Sequence, residues 1–314
     1  VKFLNLLLLC LFCYTPSMAN QLAGHFLALL TAFCWAENSV IWGNLSMRTS
    51  SEATAHLRMW IALPFMVLIA YLFEGWTALS LRTWVLLLLS GSLGYFVTDM
   101  LMFASYASLG PQKSMAIMTL NPALTAIFSF FLFGQKLSIV QTTGLVVTLL
   151  GVLLLTTSEM KTVDRHDAKA KGILFALFGA LFQSLSFLLT KFALAETGPF
   201  TTNMVRSIGG TASLFLYALC RRKMKADFTA YSHVPRRYVA LLFLGSLLGP
   251  LLGMSMEMKA FTLATLGTVT AITQASPVIL LIQESLIGHK RFTALSVIAT
   301  LTSTLGIALL FLPF

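Results

Sequence analysis

Six polar side chains interrupt otherwise apolar stretches of this chain and are the first places to look for chemistry: Glu37, Asn38, Asp99, Gln183, Glu257 and Gln274. An ionisable group near the centre of a bilayer costs roughly 2.5–3.5 kcal/mol on insertion scales, so it normally faces a cavity or a partner. Glu37 and Asp99 are therefore expected to form or border a central polar cavity, where a carboxyl can bind solute or carry a proton. Glu257 sits close to the expected end of its span, and Gln183 and Gln274 lie within theirs. The structural alternative is that Asp99 and Glu257 simply pair with a neighbouring cation. Lys259 is two residues from Glu257 and would point away from it on a helix. Glu284 is expected at the interface.

Four further residues belong to the same inventory. Pro122 and Pro277 fall inside apolar runs, where each removes a backbone donor and frees a carbonyl. They are expected as hinges or cavity-forming helix breaks, with ordinary packing kinks as the alternative. Arg58 and Arg206 begin their spans and are expected to snorkel to headgroups as structural anchors.

Catalytic and metal chemistry find no pattern. The sequence has no His-Glu-x-x-His, no acidic cluster and no Gly-x-x-x-x-Gly-Lys-Ser/Thr loop, and its His residues are scattered at 25, 56, 166, 233 and 289. Cys10 and Cys13 form a Cys-x-x-Cys inside an apolar run with no polar shell to activate them. No catalytic residue, metal or cofactor is expected. A secondary transporter of a small metabolite is the leading function; the competing readings are an integral membrane enzyme acting on a lipid-soluble substrate, and a scaffold, which would not need buried acids.

The elements that must position these residues follow from composition. Of 314 residues, 57% are hydrophobic and 10% charged, against roughly 25% charged in an average soluble domain. Mean hydropathy is +0.85. The apolar residues come in blocks of about 20, the length a helix needs to cross the hydrocarbon core. Spans are expected at 25–44, 56–73, 83–104, 113–133, 137–157, 172–191, 203–220, 238–258, 264–287 and 292–312. The fold class is thus all-α integral membrane, with ten transmembrane helices. Before them, Lys2, the run Phe3 to Tyr14 and Ser17-Met18-Ala19 resemble a signal peptide, so 1–23 is expected to be a leader; a start at Met18 is the alternative.

An internal repeat organises the rest. At an offset of 155, Gly94, Ile117, Pro122, Ile127 and Gly151 fall on Gly249, Ile272, Pro277, Ile282 and Gly306. At an offset of 148, Gly24, Ala28, Ala32, Thr49 and Arg58 fall on Gly172, Ala176, Ala180, Thr197 and Arg206. One insertion in the long basic loop of the second half reconciles the two. The domains are then 24–157, a first five-helix repeat; 158–171, a central loop; and 172–314, a second five-helix repeat. Five spans per copy make the repeat inverted, a common construction of alternating-access transporters.

Charge supplies the orientation. Of 21 Lys and Arg, only Arg82, Lys136, Lys191, Arg206 and Lys259 fall on one side, and Lys2 lies in the leader; all others fall on the side of the central loop and the 221–237 loop. By the positive-inside rule that side is cytoplasmic, which puts Gly24 and Phe314 outside. The formal charge of +10 is accounted for by topology and lipid headgroups, not by nucleic acid. The inner membrane, a small-molecule solute, the lipid bilayer and protons as a candidate coupling ion are the expected location and partners; the oligomeric state is left open.

The segments Leu93-Gly94-Tyr95-Phe96-Val97-Thr98-Asp99, Ala107-Ser108-Leu109-Gly110, Leu120-Asn121-Pro122-Ala123-Leu124 and Leu132-Phe133-Gly134-Gln135-Lys136-Leu137 resemble the EamA-like drug/metabolite transporter family. Trp35 to Gly43 and Gly249 to Pro277 fit it too, so the resemblance covers nearly everything after the leader. It implies a ten-helix fold and the export or exchange of metabolites such as amino acids. Two features depart from the family pattern: Gly134-Gln135 and Gly288-His289-Lys290 stand where Gly-Glu is usual, and the family's termini are commonly cytoplasmic.

Overall fold

Among the described residues the apolar blocks fold as helices, and several breaks between them fall where glycine, proline or a capping hydroxyl makes helix unfavourable. A computed structural model of the chain describes residues 16–76, 78–133, 138–160, 166–194, 196–232, 234–264, 269, 272–286 and 293–310. Residues 1–15, with Cys10 and Cys13, lie outside the described residues, as do Gly134-Gln135 and Gly288-His289-Lys290. Among the described residues all regular structure is helical.

Helix α1 spans Pro16–Ser46 and therefore starts ahead of position 25, where the first span was expected to begin. Helix α2 (Ser51–Glu74) begins at Ser50, whose hydroxyl accepts the Ala53 N–H at 3.0 Å, an N-cap worth about 1 kcal/mol. It ends at Gly75, whose φ of 69° suits a residue without a Cβ. Helix α3 runs from Leu81 to Leu109, and its end is again a glycine, Gly110 at φ 86°, followed by Pro111 in the first turn of α4 (Pro111–Met118). Then come α5 (Leu120–Phe133), α6 (Ile139–Met160), α7 (His166–Leu194), α8 (Pro199–Cys220) and the short α9 (Met224–Thr229). Helix α10 spans Arg236–Leu263, and α11 (Ser276–Leu286) and α12 (Ala294–Leu310) complete the chain.

Among the described residues five stretches are long and apolar enough to cross a bilayer: Asn20–Ser46, Ser51–Glu74, Leu81–Leu109, Ala168–Ala193 and Arg236–Leu263. The 24 residues of α2 rise about 36 Å, more than the roughly 30 Å of hydrocarbon. Burial runs in the sense a membrane requires. Phe26, Leu72, Phe73, Trp76 and Leu305 are exposed, whereas Thr31, Ser39, Thr98, Ser105, Ser184 and Thr300 are buried between helices. Small hydroxylated residues let helices approach closely and bond across the contact.

Two details show how far the repeat extends into the geometry. Helix α3 contains a π-helical segment, Ser92–Thr98, and α10 contains one at Leu247–Gly253; each boundary maps onto the other at the offset of 155. Helices α6 and α12 meet through reciprocal contacts. A Cβ added at Gly151 would lie 2.5 Å from the Ser303 nitrogen, and one at Gly306 would lie 2.4 Å from the Thr148 nitrogen. Thr148 and Ser303 are themselves 155 residues apart, so the two halves touch as related copies.

A helix break, not the packing kink that was the alternative, lies beside each proline. Pro122 is the third residue of α5 and Pro277 the second of α11, so neither interrupts a continuous helix. The chain breaks one turn earlier, at Thr119 between α4 and α5 and in the turn before Ser276. In a first helical turn the missing N–H had no intrahelical partner to lose. The prolines therefore start half-helices instead of kinking long ones.

Candidate functional site

The two helix breaks and the first π segment border one cavity of about 130 Å³, counted at the centres of water-sized spheres. A single water needs roughly 10–15 Å³ on that measure, so the space suits a small organic solute. Its lining draws on both halves: Asn38 from α1, Arg58 from α2, Tyr95 and Asp99 from α3, Asn121 from the start of α5, Gln183 and Phe187 from α7, Arg206 from α8, Met254 and Glu257 from α10, and Thr273, Gln274 and Ser276 beside the second break.

Five of the six expected polar residues, Asn38, Asp99, Gln183, Glu257 and Gln274, therefore share this cavity. Glu37 is not in its lining. Its carboxylate accepts a hydrogen bond from the Gln283 side chain on α11 at 2.6 Å. Glu257 is 5% exposed, lies more than a turn inside α10, and has Trp35 and Thr273 within hydrogen-bonding reach. Lys259 is exposed, on another face of the helix, as the spacing required.

The two arginines overturn the anchoring expectation. Arg58 is 3% exposed and Arg206 0%, both on the cavity. The reason is where the helices begin. Helices α2 and α8 start at Ser51 and Pro199, so each arginine stands seven residues, about 10 Å, along its helix. The sequence contained a usable signal, because both positions are matched in the repeat and a headgroup anchor needs no match across halves.

The environments of the two arginines differ. Arg58 is hydrogen-bonded and ion-paired to Asp99, with its guanidinium 5.5 Å from the Trp42 ring centroid and 5.0 Å from that of Phe103. Arg206 donates from Nε to the Ser90 hydroxyl at 3.0 Å and from one terminal nitrogen to Ser186 at 3.2 Å; its other terminal nitrogen is 3.5 Å from the Met254 sulfur. Tyr95 and Phe187 face it at 5.4 and 5.7 Å. Cation–π contacts of this kind contribute about 0.5–2 kcal/mol each.

Glycine allows these groups to approach. A Cβ at Gly91 would lie 1.7 Å from the Arg206 carbonyl oxygen, so α3 and α8 touch backbone to backbone at the arginine itself. Gly94 and Gly249, matched in the repeat, admit Ser186 and Asn38, which are matched as well. The remaining network is neutral. Tyr95 donates to Asn203 at 2.5 Å, and Asn203 donates to the Pro250 carbonyl at 3.0 Å and to Ser255 at 3.1 Å. Three residues of the lining each carry a buried polar atom with no partner within the described structure: Asn38 Oδ1, Trp42 Nε1 and Arg58 Nε. Among the described residues no group of three or more His, Cys, Asp or Glu could hold a metal.

The side of the molecule that carries the α1–α2 turn is fastened separately. Lys223 and Tyr217 bond Glu52, which pushes the Lys223 ammonium pKa up. His56 Nδ1 lies 3.0 Å from Asp227, and its Nε2 accepts the Trp60 indole N–H at 2.9 Å.

Comparisons with known proteins agree with this architecture. No curated protein matches the chain. Among solved structures, one crystal structure of a protein at 19% identity aligns over 89% of this chain and 97% of its own, with a TM-score of 0.60; at that identity the likeness concerns the fold. The model of the EamA-like transporter family matches twice, over residues 22–157 and 170–312. Because these two matches together take in most of the sequence, one in each half, the chain belongs to the EamA-like transporter family.

Proposed function

We propose that the chain moves a small polar or amphipathic metabolite, of amino-acid type, across the inner membrane by alternating access at the central cavity. The observation that carries this reading is the convergence of Asn38, Arg58, Asp99, Gln183, Arg206, Glu257 and Gln274, drawn from both halves, on one cavity inside an otherwise apolar helix bundle. Polar groups this deep in a membrane normally face a cavity or a partner, and a solute with its own donors and acceptors can bond those that line the space.

The helix count in this proposal is ten, with the broken pair α4 and α5 forming one span and the chain around the second break another. The two five-helix repeats, 24–157 and 172–314, then enter the bilayer from opposite sides, and the cavity at their junction can open to either face. A leader over 1–23, the loop 158–171 and the cytoplasmic placement of the basic loops belong to the same proposal. Protons are the proposed coupling ion. Asp99 is already engaged by Arg58, which leaves Glu257 as the lining acid freer to exchange a proton.

The test is a panel of metabolites assayed for uptake and efflux in vesicles, with and without a pH gradient. Flux that depends on the protein and is accelerated by the gradient is expected, and Glu257→Gln should remove the acceleration while leaving solute exchange. Glu37→Gln, outside the lining, serves as the comparison. Protein-dependent turnover of a lipid-soluble substrate in the same vesicles, without flux of any solute, would overturn the transport reading.

A further inference from the structure

The repeat matches the arginines but not their counter-ions. Arg58 falls on Arg206 at the offset of 148, and Asp99 falls on Met254 at 155. The geometry follows the same correspondence, since Arg58 bonds Asp99 while Arg206 lies 3.5 Å from the Met254 sulfur. The acid of the second half stands one turn further along, at Glu257, and the residue matched to it in the first half is Met102. Acid and thioether have exchanged places between copies. Arg58 is thereby neutralised in place, whereas Arg206, at 0% exposure, has no carboxylate within ion-pair distance among the described residues.

We infer that Arg206 is the docking residue for an anionic carboxylate on the transported solute, and that Met254 keeps it free for that role. This rests on the transport reading above. A guanidinium has five N–H donors, and the contacts to Ser90, Ser186 and Met254 use three of them. The two left over, one on each terminal nitrogen, can take a carboxylate end-on through paired hydrogen bonds. Both serine partners are neutral hydroxyls, so they orient the guanidinium without cancelling its charge. Tyr95 and Phe187 shield it from water, and a charge so shielded attracts an anion more strongly than one in solvent. A cation buried this deeply is costly unless it is paired and hydrogen-bonded, and Glu257 and Asp99 act on Arg206 only through space, without a direct ion pair. The structure tolerates it at the position where a solute can supply the missing charge.

The experiment uses purified full-length protein, both in vesicles and in detergent, with phenylalanine, leucine, threonine and lactate as probes, each beside its primary amide. Flux into vesicles and thermal stabilisation in detergent are read for each pair. Expected is a carboxylate preference of about tenfold or more, the effect of one charge-assisted bond pair. Met254→Asp, which recreates the pairing of the first half and should fold because it neutralises a buried cation, is expected to abolish that preference. Met254→Asn, of the same shape without the charge, should retain about tenfold more of the preference than Met254→Asp. Stabilisation by carboxylates that Met254→Asp removes, in the absence of any flux, leaves the docking role standing and removes the transport reading. Flux that treats acid and amide alike, or a carboxylate preference that survives Met254→Asp, overturns the docking role and leaves transport standing. The absence of any carboxylate effect in either measurement overturns it as well.

Discussion

Removing one member of the Arg58–Asp99 pair should destabilise the protein far more than removing both. The pair is buried, with side-chain exposures of 3% and 15%. Asp99→Asn keeps the shape of the side chain but leaves a full cation whose Nε already has no acceptor. The Trp42 and Phe103 rings offset only part of this, so the loss should approach the roughly 3–5 kcal/mol typical of a broken buried pair. Arg58→Met strands the opposite charge and should cost a similar amount. The double variant Arg58→Met/Asp99→Leu replaces the pair by apolar side chains, an exchange that is often close to neutral. The cycle then gives a coupling energy of about 3 kcal/mol or more. Unfolding by SDS titration in mixed micelles, followed by tryptophan fluorescence, measures all four proteins. Arg206→Met is the contrast. No directly ion-paired carboxylate is stranded there, Glu257 losing only a through-space attraction, and Ser90 still bonds Ser186 and Thr190 at 3.0 and 2.7 Å, so this change should cost less than either single change at Arg58–Asp99. A coupling below about 0.5 kcal/mol, or an Arg206→Met loss as large as that of Arg58→Met, would refute the account of one satisfied and one waiting arginine.

Gly91→Ala should impair transport without contacting solute. Its Cβ would stand 1.7 Å from the Arg206 carbonyl oxygen, forcing α3 and α8 apart by about 2 Å to reach ordinary contact, an overpacking cost of about 1–3 kcal/mol. Misplacement on this scale can lower activity by about 10²-fold; vesicle flux at matched protein abundance checks it, and flux equal to the parent's would show that the contact is slack. For orientation, Ser232→Cys, made in a Cys220→Ser background because Cys220 is exposed, should resist a membrane-impermeant maleimide in intact cells and label after permeabilisation. Labelling in intact cells would put the 221–237 loop outside.

Which features were legible in the sequence depended on whether they were one-dimensional. Helix length and apolar composition are properties of a segment, so the long helices at Ser51–Glu74, Leu81–Leu109 and Arg236–Leu263 were anticipated, although each extends about a turn beyond one of its expected ends. The repeat offsets are also linear, and they extend to the π segments and to the Thr49–Thr54 and Thr197–Thr202 hydroxyl pairs at 3.1 and 2.5 Å. The rarity of polar groups in apolar runs was enough to single out Asp99, Glu257 and their neighbours. Facing directions were not legible. Glu37 and Asn38 are consecutive, so about 100° separates them around α1; packing turned Asn38 to the cavity and Glu37 toward Gln283.

The prolines and arginines show the same limit. A proline in an apolar run reads alike whether it kinks a helix or starts one, and only the breaks at Thr119 and before Ser276 assign Pro122 and Pro277 to the second case. An arginine near a span's expected start reads as an anchor until the helix is seen to begin two turns earlier. The sequence by itself determined the membrane class, the helices, the duplicated halves and the short set of candidate polar residues, because length, hydropathy and periodicity act within one segment. Only the tertiary structure decided that Arg58 meets Asp99 while Arg206 meets Met254, because pairing between residues on different helices depends on how those helices pack, and no single segment encodes that.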